Sequence, residues 1–273
     1  MKIAFVVILF ASASWALPKR STKPPPKMLY VDPDNPGFAS YSFEDPVVIP
    51  RIVNGKETVP HSIPYQAYII FTKESDSWSC GGTLISTRHV LTAGHCVDEA
   101  DYAVVVLGAH DIEYKEDTQI RVNSSKLILH EDFYLYTANN DIGIVELSKE
   151  VTLNEYIDIA ELPSMEEANI TYKGEIGRLS GWGYTCASGP LSSVLLEANA
   201  TVIGNDLCRA LYSITQDTQL CTGGEDGISS CSGDSGGPLV DQNKLIGLVS
   251  YSVRGCLEGF PSGYTKINSF WTG

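Results

Sequence analysis

Ser230-Cys-Ser-Gly-Asp-Ser-Gly-Gly-Pro238 is the stretch on which the reading of this 273-residue chain turns. Inside it, Gly233-Asp234-Ser235-Gly236-Gly237 sets a serine between glycines, a G-x-S-x-G pattern that presents a hydroxyl on a tight turn. Two fixed glycines in five residues recur by chance, so the motif needs support from the rest of the chain. The α/β-hydrolase use of this motif places an acid and then a histidine after the serine. Of the five histidines, His61, His89, His95, His110 and His130, none follows Ser235, and that reading fails.

An activating base must therefore lie upstream. His95 ends the segment Leu91-Thr-Ala-Gly-His-Cys96, where small neighbours leave the imidazole reachable and a cysteine can pin the loop. The other four histidines lack such a setting and read as surface or turn residues. A third partner is found in Asn139-Asn-Asp-Ile-Gly-Ile-Val-Glu-Leu147, which puts Asp141 at the head of an apolar strand. A carboxylate there is buried when the strand packs, which suits orienting an imidazole; standing alone, it would be an ordinary strand-initiating turn residue.

Around these segments the pattern is one of short apolar runs between turn residues: Tyr65–Phe71, Gly82–Ile85, Val104–Leu107, Leu127–Leu129, Ile142–Leu147, Leu179–Gly183, Leu195–Ile203, Pro238–Val240 and Leu245–Val249. Little helical periodicity connects them, which predicts an antiparallel all-β fold. A length of some 220 residues suits two packed barrels better than one sandwich, and no internal sequence repeat stands out.

The N-terminal fifth differs. Lys2, the apolar run Ile3–Phe10 and the small residues Ala11–Ala16 read as a secretory signal over residues 1–16. Residues 17–51 hold Pro18, Pro24, Pro25, Pro26, Pro33, Pro36, Pro46 and Pro50 and no cysteine. Such proline density predicts an extended or disordered pro-segment that feeds no sheet. It ends at Arg51-Ile52-Val53-Asn54-Gly55. From Ile52 onward the chain carries 13 Lys+Arg and 29 Asp+Glu, net −16, against −14 for the whole. That balance excludes a sequence-independent nucleic-acid binder, which needs clustered cations. No later apolar run reaches the ~20 residues of a membrane span. Seven cysteines and three sequons, Asn123, Asn169 and Asn199, fit an extracellular, disulfide-permissive, glycosylating compartment.

The order His95, Asp141, Ser235 with these flanks resembles the chymotrypsin-like, trypsin-fold serine endopeptidases from Arg51 almost to the C-terminus. Val105-Val-Leu-Gly-Ala-His-Asp-Ile112 and Cys256-Leu-Glu-Gly-Phe-Pro-Ser-Gly-Tyr-Thr265 look most like the arthropod chymotrypsin and brachyurin (collagenolytic) branch. The resemblance implies two packed six-stranded antiparallel Greek-key barrels over residues 52–273, with the usual C-terminal helix truncated or absent because the chain stops at Gly273. It implies catalysis by His95, Asp141 and Ser235, an oxyanion hole from the N–H groups of Gly233 and Ser235, and no metal or cofactor. It also implies activation by a trypsin-like protease at Arg51–Ile52, the freed Ile52 ammonium pairing with Asp234. The implied disulfides are Cys80–Cys96, Cys208–Cys221 and Cys231–Cys256. Cys186 is left over, as a buried inert thiol or an intermolecular bridge.

By family position Ser229 forms the floor of the specificity pocket, flanked by Ser250, Ser252 and Ser262. A neutral floor offers nothing to Lys or Arg, so the resemblance implies a chymotrypsin-like or elastase-like apolar preference. The acidic loop Asp111, Glu113, Glu116, Asp117 lies where some relatives bind calcium, but its spacing reads as a solvated loop. Expected partners are protein or peptide substrates, the activating protease and protein protease inhibitors, acting on a secreted monomer. The rival class is a catalytically weak or inactive homologue serving as a binding or regulatory protein; such homologues usually lose a triad member, and none is lost here.

Overall fold

The computed structural model describes residues 28–32, 35–42, 55–184, 191–224, 227–253 and 256–270. Residues 1–16, read above as a signal, the Arg51–Ile52 junction and Cys186 lie outside the described residues. In chain order the elements are β1 (Met28–Asp32), β2 (Asn35–Ser42), β3 (Lys56–Glu57), β4 (Gln66–Lys73), β5 (Asp76–Ser86), β6 (His89–Thr92), α1 (Gly94–Val97), β7 (Tyr102–Leu107), β8 (Ile120–Leu129) and β9 (Gly143–Leu147). There follow β10 (Ile176–Gly181), β11 (Leu196–Ile203), α2 (Asn205–Leu211), β12 (Gln219–Thr222), β13 (Pro238–Asp241), β14 (Lys244–Val253) and β15 (Ser262–Lys266). The last described element is the 3-10 turn Ile267–Phe270.

Strand β4 shows why two barrels form. Alternate residues of a strand face opposite sides. Ala67, Ile69 and Phe71 enter one core with Val105, Leu107, Val145 and Leu147. Tyr68, on the other face, joins Val106, Trp182, Leu195, Leu245 and Leu248 in a second buried layer that links the two halves of the chain. Both faces are therefore apolar, and the strand must be covered twice. Full burial of a side chain such as Phe71 contributes about 1.5–3 kcal/mol.

Strands β4 to β9 close into a barrel in the order β4-β5-β6-β9-β8-β7. Two hairpin triplets, β4-β5-β6 and β7-β8-β9, are joined by the β6–β9 and β4–β7 pairings. The second half repeats this plan: triplets β10-β11-β12 and β13-β14-β15 are joined by β12–β15 and β10–β13. The all-β fold of two closed six-stranded antiparallel barrels is thus as expected, and all nine apolar runs fall on strands. Strands β6, β12 and β15 escaped the apolar-run reading because small and polar residues, such as Thr222, Ser262 and Thr265, make up much of them.

One expectation is corrected. Residues 28–32 and 35–42, inside the proline-rich segment, form strands, and β1 adds in parallel to β14. The prolines cluster outside this stretch; Pro33 lies between the strands and Pro36 sits near the start of β2, which among the described residues has β1 as its one strand neighbour. An edge strand tolerates a residue that cannot donate to a ladder.

Candidate active site

His95 lies in the single turn α1, directly after β6. Its side chain and that of Asp141 are fully buried. Nδ1 of His95 is 2.9 Å from Oδ2 of Asp141, and the His95 backbone N–H donates to Oδ1 at 2.7 Å. The carboxylate thus grips ring and backbone of the same residue, which fixes the ring plane and puts the proton on Nδ1. Asp141 belongs to the first barrel, just before β9, but the second barrel holds it. Ser250 of β14 donates its hydroxyl to Oδ2 at 2.6 Å, and Thr265 of β15 donates to the Asp141 carbonyl at 2.7 Å. A buried charge needs such compensation, since an unsatisfied one costs several kcal/mol.

Ser235 stands on the turn before β13. Its carbonyl accepts the N–H of Gly81 on β5 at 2.8 Å, so the first barrel's backbone touches this loop directly. Around it, the N–H groups of Asp234, Gly236 and Gly237 donate to Cys231, Val249 and Asp234 carbonyls. Those of Gly233 and Ser235 have no acceptor among the described residues. Gly233 has φ +94°, a left-handed conformation suited to glycine, and that conformation turns the loop. The Ser235 hydroxyl is buried and makes no hydrogen bond among the described residues.

Asp234 points the other way, into the second barrel. Its carboxylate is fully buried, with Oδ1 accepting from the Gly183 N–H and Oδ2 from the Cys231 N–H, each at 3.0 Å. A Cβ on Gly183 would lie 2.5 Å from the Asp234 carboxyl carbon, so this close approach requires glycine. Burial pushes the carboxyl up to about 7, and the two N–H groups only partly offset this. No cationic side chain among the described residues pairs with it.

Of the four pocket candidates, three meet. Ser229 Oγ lies 3.2 Å from both Ser252 Oγ and Ser262 Oγ, and Ser262 Oγ accepts the Ser230 N–H at 3.0 Å. All are buried, and the cluster contains no charge. Ser250 does not join it; its hydroxyl serves Asp141 instead. Residues 250 and 252 are two apart on β14, yet their hydroxyls meet different partners, Asp141 for the first and Ser229 for the second. Thr265 and Gly183 were missed altogether, because contacts made across strands carry no local signal.

Three disulfides join Cys80 to Cys96, Cys208 to Cys221 and Cys231 to Cys256. The first consumes both thiols beside His95, so that cluster offers no metal-binding set. In the acidic loop, Glu116 accepts from the His110 and Asp111 N–H groups and from Gln119, and Asp111 accepts the Glu113 N–H; these carboxylates are engaged by their own loop. Asn123, Asn169 and Asn199 are all exposed. Among the described residues no helix is long and apolar enough to cross a membrane.

A buried His–Asp pair held by both barrels and a buried serine on a glycine-rich turn define a class. The family model described as Trypsin matches residues 52–272, and the chain belongs to that family and is a serine endopeptidase. It is 39% identical over 271 residues to the chymotrypsin of Phaedon cochleariae, covering 99% of this chain and 95% of that protein. Brachyurin of Leptuca pugilator is 36% identical over 221 residues, covering 80% of this chain and 95% of that one. A solved structure named HL collagenase superposes with a TM-score of 0.74 at 35% identity, over 81% of this chain and 95% of that one.

Proposed function

We propose that the chain is a secreted zymogen whose mature form, residues 52–273, cleaves peptide bonds after uncharged apolar residues. In this reading Ser235 attacks the scissile carbonyl while His95 takes the hydroxyl proton and later passes it to the leaving amine. Asp141 holds the imidazole with its proton on Nδ1 and stabilises the imidazolium that forms. The unengaged N–H groups of Gly233 and Ser235 receive the oxyanion; each such donor is worth about 2.7–4 kcal/mol of barrier. The observation that carries the reading is the two-point grip of Asp141 on His95, reinforced by Ser250. Covalent labelling of Ser235 by an organophosphorus or sulfonyl reagent tests it. A His95→Ala chain that labels as fast as the parent would overturn it.

Activation follows from Asp234. A carboxyl raised to about 7 by burial has no cationic side chain beside it among the described residues. Cleavage of Arg51–Ile52 supplies an ammonium, and the resulting pair orders the loop that carries Gly233 and Ser235. An Arg51→Gln chain should stay inactive after trypsin treatment. The specificity reading rests on the serine cluster. A Lys or Arg head group would sit buried against three hydroxyls without a counterion, costing several kcal/mol. The Ser229, Ser252 and Ser262 hydroxyls pair with one another, so an apolar side chain leaves none of the three without a partner. A panel of peptides varied at the residue before the scissile bond tests this, and preference for Lys or Arg over Leu, Phe and Ala would refute it. Residues 1–16 direct export, the three exposed sequons are candidates for glycosylation, and protein protease inhibitors are the fitting macromolecular ligands of a monomer.

A further inference from the structure

The edge of β14 at Tyr251–Val253 borders the catalytic cleft. One residue before it, Ser250 is bonded to Asp141; within it, Ser252 touches the pocket residue Ser229. On the side away from β15, β13 pairs with β14 only as far as Leu248, so the edge beyond is left without a barrel partner. An unpaired strand edge takes up an extended peptide by main-chain hydrogen bonds. A substrate reaching from the pocket to Ser235 has to pass along it.

In the full chain that edge is taken. Strand β1 pairs with it in parallel, Leu29 opposite Tyr251, Tyr30 opposite Ser252 and Val31 opposite Val253. Strand β2 folds back on β1, with Leu29 opposite Tyr41 and Tyr30 opposite Ser40. The hairpin spans the cleft: β1 runs close to α1, which carries His95, and β2 runs alongside the 3-10 turn Leu135–Thr137, just upstream of Asp141. Ser235 and His95 expose none of their surface, as a covered cleft requires.

We propose that β1 and β2 are an inhibitory hairpin whose first strand occupies the substrate edge of β14. The hairpin shields the cleft in the uncut chain. After cleavage at Arg51, with no cysteine to tether it, it persists as a dissociable competitive ligand until diluted. This rests on the catalytic and activation readings above, and adds to loop ordering a second, independent block.

The test uses the activated enzyme and a synthetic peptide of residues 17–51. The peptide should raise the apparent KM for a short chromogenic peptide at unchanged kcat, about elevenfold at ten times its dissociation constant. It should also slow hydrogen exchange of the β14 amides 250–253. A peptide carrying Leu29→Pro and Tyr30→Pro, which lacks two strand N–H donors, should do neither. In the full chain, cleavage at Arg51 without dilution should leave the parent partly inhibited, and the Leu29→Pro/Tyr30→Pro chain fully active at once. An active enzyme whose kinetics and exchange ignore the peptide would overturn the hairpin proposal alone. An enzyme that neither turns over nor labels at Ser235 would overturn the catalytic reading and this proposal with it.

Discussion

Removing the charge of Asp234 from the uncleaved chain should flatten the dependence of its stability on pH. The perturbation is Asp234→Asn in an Arg51→Gln background, so that no Ile52 ammonium can form. Burial raises the Asp234 carboxyl from 3.8 to about 7. A carboxyl with a raised native pKa holds its proton more tightly when folded than when unfolded. Its contribution is therefore complete below pH 4 and is lost as pH rises toward 7, where the buried group must ionise. About three pKa units at about 1.4 kcal/mol each amount to about 4 kcal/mol lost over that window. Glu167 runs the opposite way: Lys244 and the Ser164 N–H hold it below the usual range, so its share grows with pH. The difference between the Arg51→Gln chain and the Arg51→Gln/Asp234→Asn chain removes those shared terms. Urea unfolding at pH 4 to 8 should show the parent losing about 4 kcal/mol relative to the double variant, all of it below about pH 7. In the cleaved enzyme the ammonium should abolish the loss. Parallel profiles for the two uncleaved chains, or an equal loss in the cleaved enzyme, would refute the account of Asp234 as a buried charge awaiting its cation.

Ser250→Ala removes a charge-assisted hydrogen bond from buried Asp141, a loss of about 1.5–3 kcal/mol, and should lower kcat about tenfold to a hundredfold; Ser250→Thr should restore part of it, and an unchanged kcat would show that the His95 contacts suffice alone. Ser229→Asp puts a carboxylate among the hydroxyls of Ser252 and Ser262 and should turn the enzyme toward Lys and Arg substrates; competition assays between Lys and Leu peptides measure the switch, and no gain for Lys would mean the cluster is not the pocket floor. Replacing Cys231 and Cys256 by alanine opens a link across 25 residues, and loop entropy sets the loss at about 3.5 kcal/mol. Thermal or urea unfolding checks that value, and a change below about 1 kcal/mol would show the link does not constrain the unfolded chain.

Much of the site could be read locally. His95, Asp141 and Ser235 stand out because each sits in a short segment of small or apolar residues that makes sense only around a buried polar group. The barrels were legible as alternating apolar runs, although polar β12 and β15 were not. The proline-rich segment misled, because proline content argues against a central strand but not against an added edge hairpin such as β1 and β2. The bond from Ser250 to Asp141 was not legible, since that partner lies 109 residues away.

By itself, then, the sequence determined the candidates: the serine, the histidine and the acid proposed for catalysis, the three pairs of cysteines once the family resemblance was seen, and an uncharged set of serines proposed for the pocket. Those features follow from residue type and short-range spacing. The tertiary structure alone decided that Ser250 and Thr265 hold the acid, and that β1 lies along β14 with β2 folded back on it. Strand partners and registers depend on which backbones meet in space. A period-two pattern of side chains states that a strand has a buried face, and leaves open which strand will cover its edge.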